Sequence, residues 1–217
     1  MDFVLRAGGA SVDKSIVYRR VAQLHADNIN QGFLSSLGPR FLALLYQAIN
    51  ESPASTLILA RENGQVVGFV SGALGIGPVY RQMLRHWPHL MLALAPSLLM
   101  PRRLWRMIEI LRYSRGNSNR GPQLPVAELL SIVVDPAFRG CSHADHLYCQ
   151  LADFFAGRGE RGFKIIVGAA LAPAHRFYRR MGALPTAEIE VHQGARSIVY
   201  VQQLTGVKSQ GPPSCRT

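Results

Sequence analysis

With 217 residues, 48% of them hydrophobic and 17% charged, the chain can build one substantial core and is too apolar for a disordered protein. Lys and Arg outnumber Asp and Glu by 24 to 13, a formal charge of +11, which favours anionic partners: nucleic acid, anionic lipid or a phosphate-rich small molecule. The cysteines Cys141, Cys149 and Cys215 have neither metal-ligand spacing nor an even disulfide count, and Met1-Asp2-Phe3-Val4 has no basic or apolar signal region, so a reduced, cytoplasmic protein without a secretory signal is expected.

In chain order, residues 3–6 read as a short strand. Val17, Val21, Leu24 and Ile29 then share one helical face. Gly38-Pro39 punctuates, Pro39 suits the first turn of a helix reaching about Asn50, and Pro53 closes it. Residues 56–61 and 65–72 flank Glu62-Asn63-Gly64, and Asn-Gly between apolar runs predicts a hairpin. Residues 78–122 are different. Eight arginines (Arg81, Arg85, Arg102, Arg103, Arg106, Arg112, Arg115 and Arg120) stand against Glu109 alone, and two or three inserted helices are expected there. The apolar run Leu90-Met91-Leu92-Ala93-Leu94-Ala95 is too short to span a bilayer, which takes about 20 residues. A helix packed on the domain, a weak membrane-surface contact and self-association all stay open, as does a merely solvated basic surface. Residues 114–121 read as a flexible loop.

The next unit carries the chemistry. Glu128-Leu129-Leu130-Ser131-Ile132-Val133-Val134 reads as a strand ended by Asp135-Pro136; after Gly140-Cys141-Ser142, Ala144, Leu147, Leu151 and Phe154 recur at helical spacing until Gly157-Arg158-Gly159. A strand, a tight turn and a helix N-terminus bring unpaired N–H groups and a helix dipole together, an anion site suited to a pyrophosphate. A strand at 163–168, a short helix at 173–181 ending at Gly182, and strands at 188–192 and 196–202 around Gln193-Gly194 complete the pattern. Residues 1–206 are expected to form a single domain, with 207–217 a disordered tail.

Two segments together resemble a known family. Val134-Asp135-Pro136-Ala137-Phe138-Arg139-Gly140-Cys141-Ser142-His143-Ala144 is similar to the coenzyme A signature of the GNAT N-acetyltransferases, with Ser142 where the middle Gly is usual. Ala174-His175-Arg176-Phe177-Tyr178-Arg179-Arg180-Met181-Gly182 resembles the family's second motif through Ala174, Phe177, Tyr178 and Gly182, with Leu171 replacing an Asn and Ala183 a Phe. The resemblance covers about residues 21–72 and 123–204, making 78–122 an insertion.

The resemblance implies an α/β domain with a mixed, mostly antiparallel sheet of about seven strands and helices on both faces. The sheet would splay between the strands at 128–134 and 163–168. It also implies acetyl-CoA as co-substrate, no metal, and direct transfer of the acetyl group to a primary amine in a ternary complex. The backbone of Ile132, Val133 and Val134 would pair with the pantetheine arm. Arg139, Gly140, Cys141, Ser142, His143 and Ala144 would hold the pyrophosphate, with His143 beside the phosphates, and Leu171, Ala174, Phe177 and Tyr178 would line the coenzyme. Tyr178, a phenol near pKa 10, would protonate the departing thiolate, where the bland alternative is packing beside Phe177. Glu128 is either the general base or a strand-end residue that is exposed or paired with an arginine. His175 is expected in solvent or against the coenzyme. The acceptor is expected to be a small-molecule amine; residues 32–38 and 41–46 resemble bacterial members acting in surface-polysaccharide and amino-sugar pathways, which suggests a nucleotide-linked amino sugar, while a protein N-terminus or lysine stays open. No specific nucleic acid is expected, and the chain would be a monomer or homodimer. The rival reading is a non-catalytic module binding acyl-CoA, nucleic acid or anionic membrane through the basic insertion.

Overall fold

A computed structural model describes residues 2–5, 14–29, 37–85, 90, 124–192 and 195–204. Apart from Leu90, the expectations for the rest of the insertion beyond Arg85, for residues 30–36, for the turn at 193–194 and for the tail lie outside the described residues.

The elements are β1 (Asp2–Leu5), α1 (Lys14–Asn28), α2 (Pro39–Glu51), β2 (Ser55–Glu62), β3 (Gln65–Leu74), α3 (Gly77–Arg85), β4 (Ala127–Val134), α4 (His143–Ala156), β5 (Gly162–Gly168), α5 (Ala172–Arg180), β6 (Leu184–His192) and β7 (Ala195–Gln203). The strands form one seven-stranded sheet in the order β1-β2-β3-β4-β5-β7-β6, antiparallel everywhere except between β4 and β5. This is the expected mixed sheet.

Local chemistry explains most boundaries. Asn63 and Gly64 both take positive φ, 49° and 78°, as a two-residue hairpin turn requires. The strand before it alternates: Leu57 and Leu59 enter one core with α1 and α2, while Ile58 and Ala60 enter the other with α4. Gly72 permits the closeness of that second layer, since a Cβ there would lie 2.6 Å from Leu151 and 2.8 Å from Phe155. The start of the predicted insertion is helical: α3 buries Val79 and Met83 in the first core, and Gln82 donates to Glu51 at 3.0 Å.

The first core contains a polar chain. His25 is buried, and its Nδ1 lies 2.5 Å from the Tyr46 hydroxyl, which is also hydrogen-bonded to Ser131 of β4. Burial lowers the His25 pKa from 6.5 to about 4. Between those values the unfolded chain binds a proton that the folded chain refuses, so stability rises with pH across the window and falls as pH drops through it. We expect urea unfolding to show a loss of up to about 3 kcal/mol between pH 7 and pH 4. His25→Gln should flatten that dependence; an unchanged slope would assign the acid sensitivity to other groups.

Candidate active site

The sheet breaks at one place. β4 and β5 are registered only at Glu128↔Lys164 and Leu129↔Ile165. Beyond Leu129, β4 stays on β3 while β5 continues on β7, so the two strands part as expected. A bulge accompanies the parting. Ser71 faces Ser131 and Gly72 faces Leu129, so Leu130 has no opposite residue. Leu130 packs on the first core and Ser131 reaches Tyr46, so adjacent side chains share one face, the mark of a bulge. The bulge was not visible in the sequence.

Beyond it, alternation decides which groups are free. The Asp135 N–H donates to Val67 O at 2.8 Å, so Asp135, Val133 and Ser131 bond toward β3. Ile132 and Val134 therefore turn their N–H and C=O groups to the parted side. Arg139 Nε takes the Val134 carbonyl at 3.3 Å from that side.

The loop lies at the wide end of the gap. Asp135 accepts from the Ala137 N–H at 3.1 Å and from Arg20 at 2.8 Å, while Arg20 also reaches Val66 O at 3.2 Å. These bonds tie α1 to the start of the loop. Arg139 donates to Asn28 at 2.7 Å, linking the loop to the end of α1. In the sequence Asp135 reads as a strand end within the signature, and nothing there singles out Arg20 or Asn28. Gly140 and Ser142 both adopt positive φ, 84° and 57°, around the exposed, free thiol of Cys141. Ser142 is the N-cap of α4 and makes no side-chain cap bond, which leaves the first N–H groups of the helix as donors. Asp145, in the first turn, is neutralised by two 2.6 Å bonds from Arg180, whose guanidinium also lies over Phe177.

Two histidines are held within the fold. The His143 side chain is turned into the protein. It is 2% exposed, with Nε2 3.5 Å from Glu62 and its ring edge-on to Phe138. The reason is the helix stripe: His143 stands four residues before Leu147, which is followed at the same spacing by Leu151 and Phe155, all buried. Only its backbone, with that of Ala144, remains available to an anion. His175 is neither free in solvent nor turned outward; its ring bonds to the Tyr200 hydroxyl at 2.9 Å and to Gly168 O at 3.1 Å, fastening α5 to β7 and β5.

The two expected proton-transfer residues lie on opposite faces of the sheet, Glu128 at the last rungs between β4 and β5. Tyr178 belongs to the α4 core, 6% exposed, among Tyr148, Phe177 and Tyr200. Burial raises its pKa, so the phenol stays protonated. Ala174 and Phe177 pack beside the same core, and Leu171, at the N-cap of α5, is 40% exposed. Glu128, the second residue of β4, lies on the α1/α2 face, where Lys164 Nζ is 3.5 Å from its Oε2. Burial raises the Glu128 pKa, and Lys164 opposes that through charge and a hydrogen bond. The ion-paired alternative for Glu128 is thus present, with Lys164 in place of an arginine. Among the described residues, no group of three or more His, Cys, Asp or Glu side chains could hold a metal, and no helix is long and apolar enough to cross a membrane.

The family model described as the GNAT acetyltransferase family matches residues 24–183, more than half of the chain. The chain belongs to that family. It is accordingly an acetyl-CoA-dependent acetyltransferase. No curated protein sequence matches it. Similar solved structures include an aminoglycoside 6'-acetyltransferase type Ii (13% identity, TM-score 0.59, 96% of this chain and 100% of the other). Arabidopsis thaliana NAA60 in complex with acetyl-CoA is another (17% identity, TM-score 0.56, 94% and 99%), and so is Ard1 from Thermoplasma volcanium (14% identity, TM-score 0.54, 94% and 99%). At these identities the likeness speaks for the fold of this acetyltransferase.

The backbone at Ser142 explains why glycine is usual in the signature: a side chain at φ 57° costs roughly 1 kcal/mol. Ser142→Gly should therefore raise stability by up to about 1 kcal/mol, offset partly by unfolded-state entropy, without weakening acetyl-CoA binding. Thermal shifts with and without acetyl-CoA measure both; a lower Tm in the variant would show that the serine hydroxyl matters more than the strain.

Proposed function

We propose that this acetyltransferase moves the acetyl group directly to a primary amine while both substrates are bound, with Glu128 as base and Tyr178 as acid. The observation that carries the reading is the parted pair β4 and β5, with a free backbone edge on β4 and the donor loop at its wide end. Acetyl-CoA supplies the activated acetyl group when bound. The residues fit it: Ile132 and Val134 offer backbone groups on the parted side, and Gly140 to Ala144 offer N–H donors for the pyrophosphate. An N–H of the β4 edge would polarise the thioester carbonyl. Glu128 would take the amine's proton from the α1/α2 face, and Tyr178 would give its proton to the departing sulfur from the other.

Membership in an acetyltransferase family favours the enzyme over a non-catalytic binding module. Residues 1–206 are read as one catalytic domain carrying the basic insertion. For the acceptor we place a nucleotide-linked amino sugar first. The formal charge of +11 supports an anionic acceptor over a polyamine. A panel of nucleotide-linked amino sugars, free amino sugars, polyamines and peptides, assayed with acetyl-CoA, tests this; preferred transfer to polyamines or peptides would remove the amino-sugar assignment.

Tyr178→Phe should lower turnover by about 10²-fold or more and leave acetyl-CoA affinity within a few-fold. Steady-state rates with calorimetric binding separate the two, and turnover at the wild-type rate would discard Tyr178 as the acid.

A further inference from the structure

We propose that Lys164 is a positioning residue for Glu128, holding its carboxylate ionised and in place at the narrow end of the gap between β4 and β5. The inference rests on the proposed base role of Glu128.

Three observations point there. First, the backbone register pairs Glu128 with Lys164 directly, one rung before the strands separate after Leu129↔Ile165. The ion pair therefore stands where the gap begins. Second, β5 is otherwise Gly162-Phe163-Lys164-Ile165-Ile166-Val167-Gly168, with Lys164 its only charged side chain. Phe163, Ile165 and Val167 fill the α4 core, which leaves Lys164 on the face that Glu128 occupies. Third, neither partner is fully exposed: the side chains are 22% and 26% accessible, with Nζ to Oε2 at 3.5 Å.

A partly desolvated carboxylate without a counter-charge holds its proton more tightly and is lost as a base near neutral pH. Among the described residues, the titratable groups facing Glu128 are Lys164 from β5 and Tyr80 from α3, whose phenol is raised first by burial and then by the Glu128 charge. The β3 neighbour in register is Ala73, which carries no charge. Lys164 is thus the group that opposes burial. Burial keeps Glu128 more basic than a surface carboxylate, and Lys164 keeps it deprotonated, the combination a general base needs. As a stabilising device the pair would be weak, because partly exposed ion pairs add little to folding.

The test uses the full chain, saturating acetyl-CoA and the amine that the acceptor panel ranks best. In Lys164→Met the acid limb of kcat/KM should move up by about one pH unit, so that activity below the limb falls roughly tenfold while the high-pH plateau is kept. Lys164→Arg should bring the limb back. A limb unmoved in Lys164→Met, in protein that still gives a thermal shift with acetyl-CoA, would overturn the proposal. Should that variant not fold, Lys164→Gln is read in the same way; if it also fails to fold, Lys164 is structural and the proposal falls. Glu128→Gln separates the two claims. A wild-type pH profile in Glu128→Gln removes the base itself and the proposal with it. If Glu128→Gln abolishes the limb but Lys164→Met leaves it in place, Glu128 stands as the base and only the role of Lys164 is lost.

Discussion

The site depends on one constraint: β4 must keep its bonds to β3 and give up its bonds to β5. An interior strand that does so exposes backbone donors and acceptors in the middle of a sheet, where unpaired polar groups are costly. The cost stays local because β5 is fully paired with β7 and β4 with β3. Only the two facing edges lose partners. The bulge at Leu130 turns the remainder of β4, and the Ser131–Tyr46–His25 chain ties the turned segment to two helices. An extended amide-bearing ligand can therefore replace the missing strand without rearranging the sheet.

At the wide end, the same economy governs the loop. A helix N-terminus serves an anion only if its N–H groups are not already satisfied, and the left-handed Ser142 withholds the usual cap. Rigidity then has to come from elsewhere. Asp135 supplies it by accepting from Ala137 and Arg20, and Arg139 adds the bond to Asn28. Asp145 is suited to the helix dipole but would repel a phosphate; Arg180 cancels that charge from α5 and so couples the loop to the helix that carries Tyr178.

Much of this was legible in the residues. Asn63-Gly64, Pro39 and the helical spacing of Ala144, Leu147 and Leu151 each encode local structure, and those elements lie where their chemistry puts them. The misses come from longer-range geometry. β6 begins at Leu184 rather than 188, since Pro185 masks the strand; an edge strand tolerates the missing donor, and β6 is at the edge. Phe155, not Phe154, is the fully buried ring, a one-residue rotation that spacing alone does not fix. That rotation also carries His143 inward, and the i+4 stripe through Leu147 and Leu151 was the available clue. The bulge and the Glu128–Lys164 rung depend on which strand lies beside which, and no local pattern specifies that. A lone lysine in an apolar strand was the only trace.

Burial acts on the acid and the base in the same sense, with opposite consequences for their roles. For Tyr178 it favours the neutral phenol, which is the form that donates, so an apolar setting among Tyr148, Phe177 and Tyr200 needs no correction. For Glu128 burial again favours the neutral form, which cannot accept a proton, so the same setting would disable it. The two residues sit on opposite faces of one sheet, and only the face of Glu128 receives a cation from β5. The asymmetry follows from strand alternation: a charge at position 164 reaches one face and leaves the other apolar. A single parted pair of strands can in this way keep a protonated donor on one side and an ionised acceptor on the other.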